Sequence, residues 1–165
     1  MKAESQPLKP NDWDALIALE KQFRETLENF WKDNNDPITI LRNELVKGDR
    51  SAAIFVVRNL SPLRQQELFH ELIVVGCDND RFPFIIRTII NSFPKEWLKS
   101  NLKVEADRLE FASDDDEYFF RRFLEMCRGV DHDIVLYACK LASKIERKEI
   151  QGIVSDFREN KNSVS

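Results

Sequence analysis

The sequence predicts an all-α fold, and three observations lead to this prediction. Glycine is scarce, with four glycines in 165 residues, although tight hairpins and nucleotide-binding turns need glycine for positive φ or close backbone approach. Apolar residues recur at the i, i+3, i+4 spacing of amphipathic helices. Asp-Pro, Ser-Pro and Phe-Pro pairs stand where one helix stops and the next begins. We therefore expect antiparallel helix pairs, about eight or nine helices in all, as a short stack or an irregular bundle.

The first helix is predicted from one long apolar stripe. It runs from Asp12 to Lys32, and its members are Trp13, Leu16, Ile17, Phe23, Leu27, Phe30 and Trp31. Because Trp13 and Trp31 share this stripe, we expect both in the core. Residues 1–11 are expected to be a flexible segment outside the domain.

The next two helices are predicted from their capping residues. Asp36-Pro37 starts a helix that runs to about Val46 and ends at Gly48. Asp49 caps another, and its residues 52–57 are apolar nearly all round. We expect this third helix to be buried on most sides.

Proline marks the starts of the following helices. Ser61-Pro62 starts a helix that continues to Gly76. Pro83 falls in the first turn of a helix over about residues 79–92, where its missing N–H has no intrahelical partner. The inward residues of that helix are Phe82, Ile85, Ile86, Ile89 and Ile90. Phe93-Pro94 then starts a helix through Leu102 that could extend to residue 111.

The last part of the chain contains three predicted helices. One begins in the run SDDDEYFFRRF (residues 113–123) and ends at a turn at Gly129. The others span about residues 133–144 and 147–157. We expect a single all-helical domain over residues 12–158 and a disordered tail over residues 159–165.

Three β-branched runs leave an α/β fold as the alternative. They are IFVV (54–57), LIVV (72–75) and FIIRTII (84–90), and LIVVGCD resembles a buried strand that leads into the loop of an enzyme site. Strong helix formers such as LRQQELFHE adjoin these runs without a turn signal. The flanking residues therefore favour helices.

Charge and hydropathy narrow the classes of partner. The net charge is −4, and Lys and Arg are scattered, whereas phosphate-backbone binding needs a concentrated positive footprint. Nucleic acid is therefore not an expected partner. The first residues lack the apolar core of a secretory signal, and no apolar run approaches the roughly 20 residues of a membrane span. We expect a cytoplasmic protein without membrane contact.

The sequence lacks the motifs of common enzymes and metal sites. It contains no GxSxG, Walker-type loop, HExxH or Rossmann fingerprint. Cys77, Cys127 and Cys139 lie among apolar neighbours and form no CxxC pair, so we expect buried, reduced thiols. His70 and His132 are the two histidines, and both have ordinary structural explanations. No catalytic residue, metal, cofactor or small-molecule substrate is therefore expected.

The acidic run Asp114, Asp115, Asp116 and Glu117 has three possible roles. An EF-hand loop alternates its acids and needs a glycine, but these four residues are consecutive and have no glycine nearby. Helix initiation accounts for them more simply, because aspartate caps free N–H groups and acids suit the positive end of the helix dipole. An acidic patch that docks a basic partner is the other possibility.

Two turns suggest a structural family. Residues 76–80 and 129–133 read Gly-Cys-Asp-Asn-Asp and Gly-Val-Asp-His-Asp, and a base stands seven residues beyond each final aspartate: Arg87 after Asp80, and Lys140 after Asp133. Paired helices with a turn acid and a second-helix base resemble HEAT-like repeats. The resemblance covers about residues 36–157 and implies an α-solenoid in which these acids and bases form a ladder. Repeat lengths are uneven, and residues 94–111 do not pair cleanly.

The helix pairs and the absence of catalytic motifs predict a non-enzymatic protein–protein interaction module. Its second helices, which carry Arg58, Arg87 and Lys140, would line a groove for a segment of a partner protein. Trp97, in the polar segment PKEWLKSN, is either a core residue or an interface anchor. One alternative is an immunity-type protein whose residues 114–117 neutralise a basic partner. Another is a helical-repeat enzyme that modifies nucleic acids.

Overall fold

The protein is built from helices. The computed structural model describes residues 10–78, 83–109 and 116–159, which contain ten α-helices and no β-strand. The helices are α1 (Pro10–Asp33), α2 (Pro37–Lys47), α3 (Arg50–Arg58), α4 (Pro62–Gln66), α5 (Phe69–Asp78), α6 (Pro83–Asn91), α7 (Lys95–Asp107), α8 (Asp116–Val130), α9 (His132–Ala142) and α10 (Lys148–Glu159). The all-α prediction is confirmed. The α/β alternative is wrong, because IFVV, LIVV and FIIRTII lie in α3, α5 and α6.

The chain divides into two compact units, Met1–Ile40 and Leu41–Ser165. The expectation of one domain over residues 12–158 stays a prediction, and the expected tails fall almost entirely outside the described residues. In the described part of the chain, no helix is long and apolar enough to cross a membrane.

In the first unit, α1 confirms the predicted helix but not the predicted burial. Trp13 is 60% exposed, and Trp31 is half-buried. The periodicity predicted an amphipathic helix correctly, but it did not determine whether the apolar face is buried.

Two predicted caps are present in the structure. The Asp36 carboxylate accepts a hydrogen bond from the Thr39 backbone N–H at 3.0 Å, and the Asp49 carboxylate accepts one from the Ala52 N–H at 3.0 Å. Both bonds satisfy N–H groups that a helix start leaves without partners.

Other predictions about the helices were wrong in detail. The segment from Ser61 to Gly76 contains two helices, α4 and α5, and the Ser61 side chain makes no cap bond. Helix α7 ends at Asp107. Only one side of α3 is buried, through Ala53, Ile54 and Val57, while Phe55 on its other side is 54% exposed.

Helix α8 lies at the centre of the second unit and packs against α5, α7, α9 and α10. Its inward residues are Phe120, Phe123, Leu124, Met126 and Cys127, all less than 5% exposed. The same helix shows outward ion pairs, from Arg121 to Asp156 of α10 and from Glu125 to Arg87 of α6. The apolar stripe of the helix that follows the acidic run therefore organises this unit.

Gly76 lies inside α5 and does not end it, contrary to the prediction. A Cβ on Gly76 would stand 2.8 Å from Cγ2 of Ile86 in α6 and 3.2 Å from Cε of Met126 in α8. The missing side chain lets three helices approach each other closely. Gly129, predicted as a turn, also lies within a helix, one residue before the end of α8.

We expect Gly76→Ala to destabilise the fold by up to about 2 kcal/mol, because overpacking costs about 1–3 kcal/mol and the gain from alanine in a helix offsets about 1 kcal/mol of this cost. Urea denaturation followed by circular dichroism measures the effect. The control is Gly152→Ala in α10, where no atom lies within 4 Å of the added Cβ and alanine should stabilise. Equal stability of the two variants would contradict the packing argument.

Candidate functional site

A small apolar cavity lies between the end of α3 and the outer side of α6. Its volume is about 120 Å³, and it is lined by Arg58, Phe84, Ile85, Thr88 and Ile89. We call it the α3–α6 groove. Ile89 is buried and belongs to the core beneath it, whereas Phe84 is 82% exposed. An aromatic ring at the edge of a cavity is a typical anchor position for a partner protein.

Arg58 supplies the charge of the groove. It is the last residue of α3, where a base complements the negative end of the helix dipole. Its side chain is exposed, and it forms no ion pair with any residue that the structure describes. The groove therefore has the Arg58 side chain beside an apolar notch.

The other two predicted groove bases are placed differently. Arg87 shares α6 with the groove, but its Nη2 donates to Glu125 Oε2 at 3.1 Å and joins α6 to α8. The turn acid predicted for it, Asp80, lies outside the described residues. Lys140 is exposed near the end of α9 and does not line the α3–α6 groove. Of the three predicted bases, only Arg58 borders this cavity.

Trp97 belongs to an aromatic cluster and is half-buried. Its ring meets those of Phe69 and Phe93 edge to face, at centroid distances of 5.0 and 5.2 Å. Edge-to-face pairs stabilise cores beyond their area burial. The cluster ties the start of α7 to α5.

The acidic run is only partly described. Asp114 and Asp115 lie outside the described residues, Asp116 is the first residue of α8, and Glu117 is half-buried. The position of α8 agrees with helix initiation by this run. The role of this acidic run in docking a basic partner stays a prediction.

A second cavity contains a polar cluster that the sequence did not reveal. It measures about 230 Å³ and is lined by His70, Ile73, Val74, Glu105, Arg108, Leu109 and Phe119. The Glu105 carboxylate, 6% exposed, is 2.7 Å from His70 Nδ1 and accepts a hydrogen bond from Arg108 at 2.8 Å. Because Glu105 lies 35 residues from His70, no local pattern could have paired them. The cluster joins α5 to α7, and no described lining residue is a Ser, Thr or Cys nucleophile.

A third, more open depression lies beside the end of α8. Its volume is about 250 Å³, and its lining consists of Asn91, Phe93, Lys95, Leu98, Gly129 and Val130. An ion pair lies next to these lining residues in the sequence. It joins Lys99 of α7 to Asp131, the N-cap of α9, at 2.7 Å. The bond from Lys99 and a second one from the Asp133 N–H lower the pKa of Asp131. The same contact raises the pKa of Lys99.

Another ion pair holds α2 to α5. Arg42 Nε is 2.7 Å from Oε1 of Glu71, whose side chain is 8% exposed. Arg42 also donates to the Glu67 carbonyl at 3.2 Å. The Arg42 guanidinium therefore gives Oε1 of this buried glutamate of α5 a charged partner.

The three cysteines are free and buried, as predicted. Burial raises the pKa of Cys77 to about 12, and it also raises the pKa values of Cys127 and Cys139. Within the described ranges, no group of three or more His, Cys, Asp or Glu side chains is arranged to hold a metal ion.

No family model, curated protein or solved structure matches the chain.

We expect all three thiols to resist Ellman's reagent in the folded protein at about pH 8, because the thiolate is the reactive form and burial disfavours it. The same protein in guanidinium chloride should react at all three cysteines. The absorbance at equal protein concentration measures how many thiols react in the folded and in the denatured protein. Rapid reaction of any thiol in the folded protein would contradict the burial argument.

We expect Asp131→Asn to lower Tm at neutral pH and to lose this effect in acid. A carboxylate whose pKa is lowered by folding stabilises the protein above its unfolded pKa, and this contribution disappears as the pH falls through the lowered value. The difference in Tm from the native sequence should therefore shrink below about pH 4, near the ordinary aspartate pKa. Thermal melts at neutral and acidic pH check this, with Asp133→Asn in the same turn as the control. An equal difference at both pH values would contradict the proposed ion-pair contribution.

Proposed function

We propose that this chain is a non-enzymatic protein–protein interaction module that acts in the cytoplasm. Its α3–α6 groove accepts a short segment of a partner protein that carries an apolar side chain beside a carboxylate. The apolar side chain enters the notch next to Phe84, and the carboxylate pairs with Arg58.

The exposure of Phe84 is the observation that carries this proposal. A phenylalanine that is 82% exposed contributes nothing to the core, yet it stands beside the cavity and a few residues from the buried Ile86 and Ile89. Phe55, on the outward side of α3, is a further exposed aromatic at 54%. Exposed aromatic residues next to a notch are the usual anchors of protein interfaces.

The charge of Arg58 selects the chemistry of the partner. Arginine binds carboxylates with two parallel hydrogen bonds and is enriched in interfaces. An acidic residue on the partner would therefore pair with Arg58 at the rim, while the neighbouring apolar residue loses its contact with water in the notch.

The sizes of the cavities lined by described residues favour a protein segment over a small molecule. The α3–α6 groove measures about 120 Å³, and two further cavities in the described part of the chain measure about 230 and 250 Å³. Pockets that enclose small ligands are usually about 300–1,000 Å³. A notch of the observed size suits one side chain of a larger partner.

We also propose that the helix pairs form a HEAT-like stack, and the helix packing supports this. Helix α9 packs against α7, α8 and α10, and α8 also packs against α10. Contacts to both the next helix and the next but one are expected when helix pairs are stacked. Stacked pairs present their outer helices to a partner, which is the use that we propose for α6.

Selection from a displayed library of random peptides on the folded protein tests this function. We expect the enriched peptides to place an apolar residue next to Asp or Glu. Phe84→Ala should weaken their binding by at least about tenfold, as for an interface hot spot. Arg58→Glu should weaken it and reduce its dependence on salt.

Trp13→Ala is the matched control, because Trp13 is also an exposed aromatic residue, at 60%, but does not line the groove. Circular dichroism checks that each variant is folded. Failure to enrich any peptide, or equal binding by the Phe84→Ala and Trp13→Ala variants, would contradict the proposed function.

A further inference from the structure

Helix α1 exposes part of a long apolar face. The helix has 24 residues and is therefore about 36 Å long. Its exposed large apolar residues are Trp13 at 60%, Leu16 at 45%, Ile17 at 53% and Leu19 at 60%. The same face continues through Phe23, Leu27, Phe30 and Trp31, which are half-buried. Such a continuous apolar face marks an interaction site.

One ion pair lies within this face. Glu20 pairs with Arg24 one turn later along α1, and both positions fall between the apolar residues of the stripe. Two other pairs, Lys21 with Glu25 and Lys32 with Glu28, follow the same i, i+4 spacing. Glu20 and Arg24 are thus the charges that a covering partner must accommodate.

We propose that α1 pairs with α1 of a second copy of this chain, in antiparallel orientation and centred at Gln22. In this register, Trp13 faces Trp31 of the second copy, and Ile17 faces Leu27. Glu20 faces Arg24 of the second copy, and the two-fold axis repeats every contact. The inference concerns α1 and does not depend on the α3–α6 groove.

Charge complementarity selects this occupant and this orientation. The antiparallel register brings the Glu20–Arg24 pairs of both copies into one cluster of alternating charges. A parallel pair in register would instead place Glu20 against Glu20 and Arg24 against Arg24. Like charges that face each other across an interface are strongly disfavoured.

The charge of α1 disfavours a membrane surface as the occupant. Residues 10–33 contain six acidic and three basic residues, a net charge of −3. Helices that lie on membranes are typically rich in Lys and Arg on the polar face, because they bind anionic lipids. A second copy of α1 instead places Arg24 opposite Glu20 at the centre of the apolar face, and so suits this central pair better.

Sedimentation equilibrium of the full chain, up to about 100 μM protein, tests the pairing. We expect a dimer, and we expect Leu16→Lys to weaken it by at least about tenfold, because the variant buries a charge at the centre of the face. The control is Ala18→Lys, which adds the same side chain to an exposed position on the opposite side of α1 and should leave the dimer intact.

Charge variants test the central contact separately. Glu20→Lys should weaken the dimer, because the new lysine faces Arg24 of the second copy. The double variant Glu20→Arg with Arg24→Glu restores the attraction both within and between helices and should restore the dimer. Circular dichroism confirms that α1 remains helical in each protein.

Spin labels at Gln22→Cys and Asn29→Cys test the orientation. An antiparallel pair separates the two Asn29 positions by about 21 Å along the helix axis and the two Gln22 positions by almost nothing. A parallel pair would give equal label distances at both sites. Each of four results would overturn the proposal. The native chain could be monomeric, or the Leu16→Lys and Ala18→Lys variants could form equally stable dimers. The label distances could be equal at the two sites, or a monomer could bind vesicles.

Discussion

The close approach of α5, α6 and α8 at Gly76 is the constraint on which the second unit depends. Because Gly76 has no side chain, Ile86 of α6 and Met126 of α8 occupy the space where a Cβ would stand. This contact fixes the side of α6 that faces the core, with Ile86, Ile89 and Ile90 buried. The opposite side of the same helix then carries Phe84 outward, next to Arg58. The candidate groove is therefore a direct consequence of core packing.

Polar contacts between helices determine which charges remain for recognition. His70 and Arg108 hold Glu105 between α5 and α7, Arg87 holds Glu125 between α6 and α8, and Arg121 holds Asp156 between α8 and α10. The two exposed pairs, Arg87 with Glu125 and Arg121 with Asp156, contribute about 0–1 kcal/mol each, so their main effect is to orient the helices. His70 and Arg108 instead supply the partners that the buried Glu105 carboxylate needs. Arg58 has no such contact among the described residues. A base predicted as part of a groove can thus serve structure, as Arg87 does, or stay available to a partner.

The two proposed surfaces share one physical basis. Burial of an exposed aromatic or aliphatic side chain by a partner contributes about 25 cal/mol of favourable free energy per Å² of apolar surface. Phe84 in one unit and Trp13 with its neighbours in the other are such side chains. The first accompanies a single positive charge and fits an acidic partner, while the second surrounds an ion pair that is complementary to its own antiparallel copy. The proposed partners therefore differ because the charges around similar apolar surfaces differ.

The sequence alone determined the features that depend on neighbours within a few residues. These are the helical class, the caps of Asp36 and Asp49 and the burial of the three cysteines, because periodicity and capping act within one or two turns. Arg58 was predicted as part of a groove, and Phe84 could have been found, since it lies off the predicted inward stripe of its helix. Only the tertiary structure decided that Gly76 lets three helices approach closely, that His70 meets Glu105, and that Trp13 remains exposed. Each of these depends on which helix covers which face, and residues far apart in the sequence decide that together.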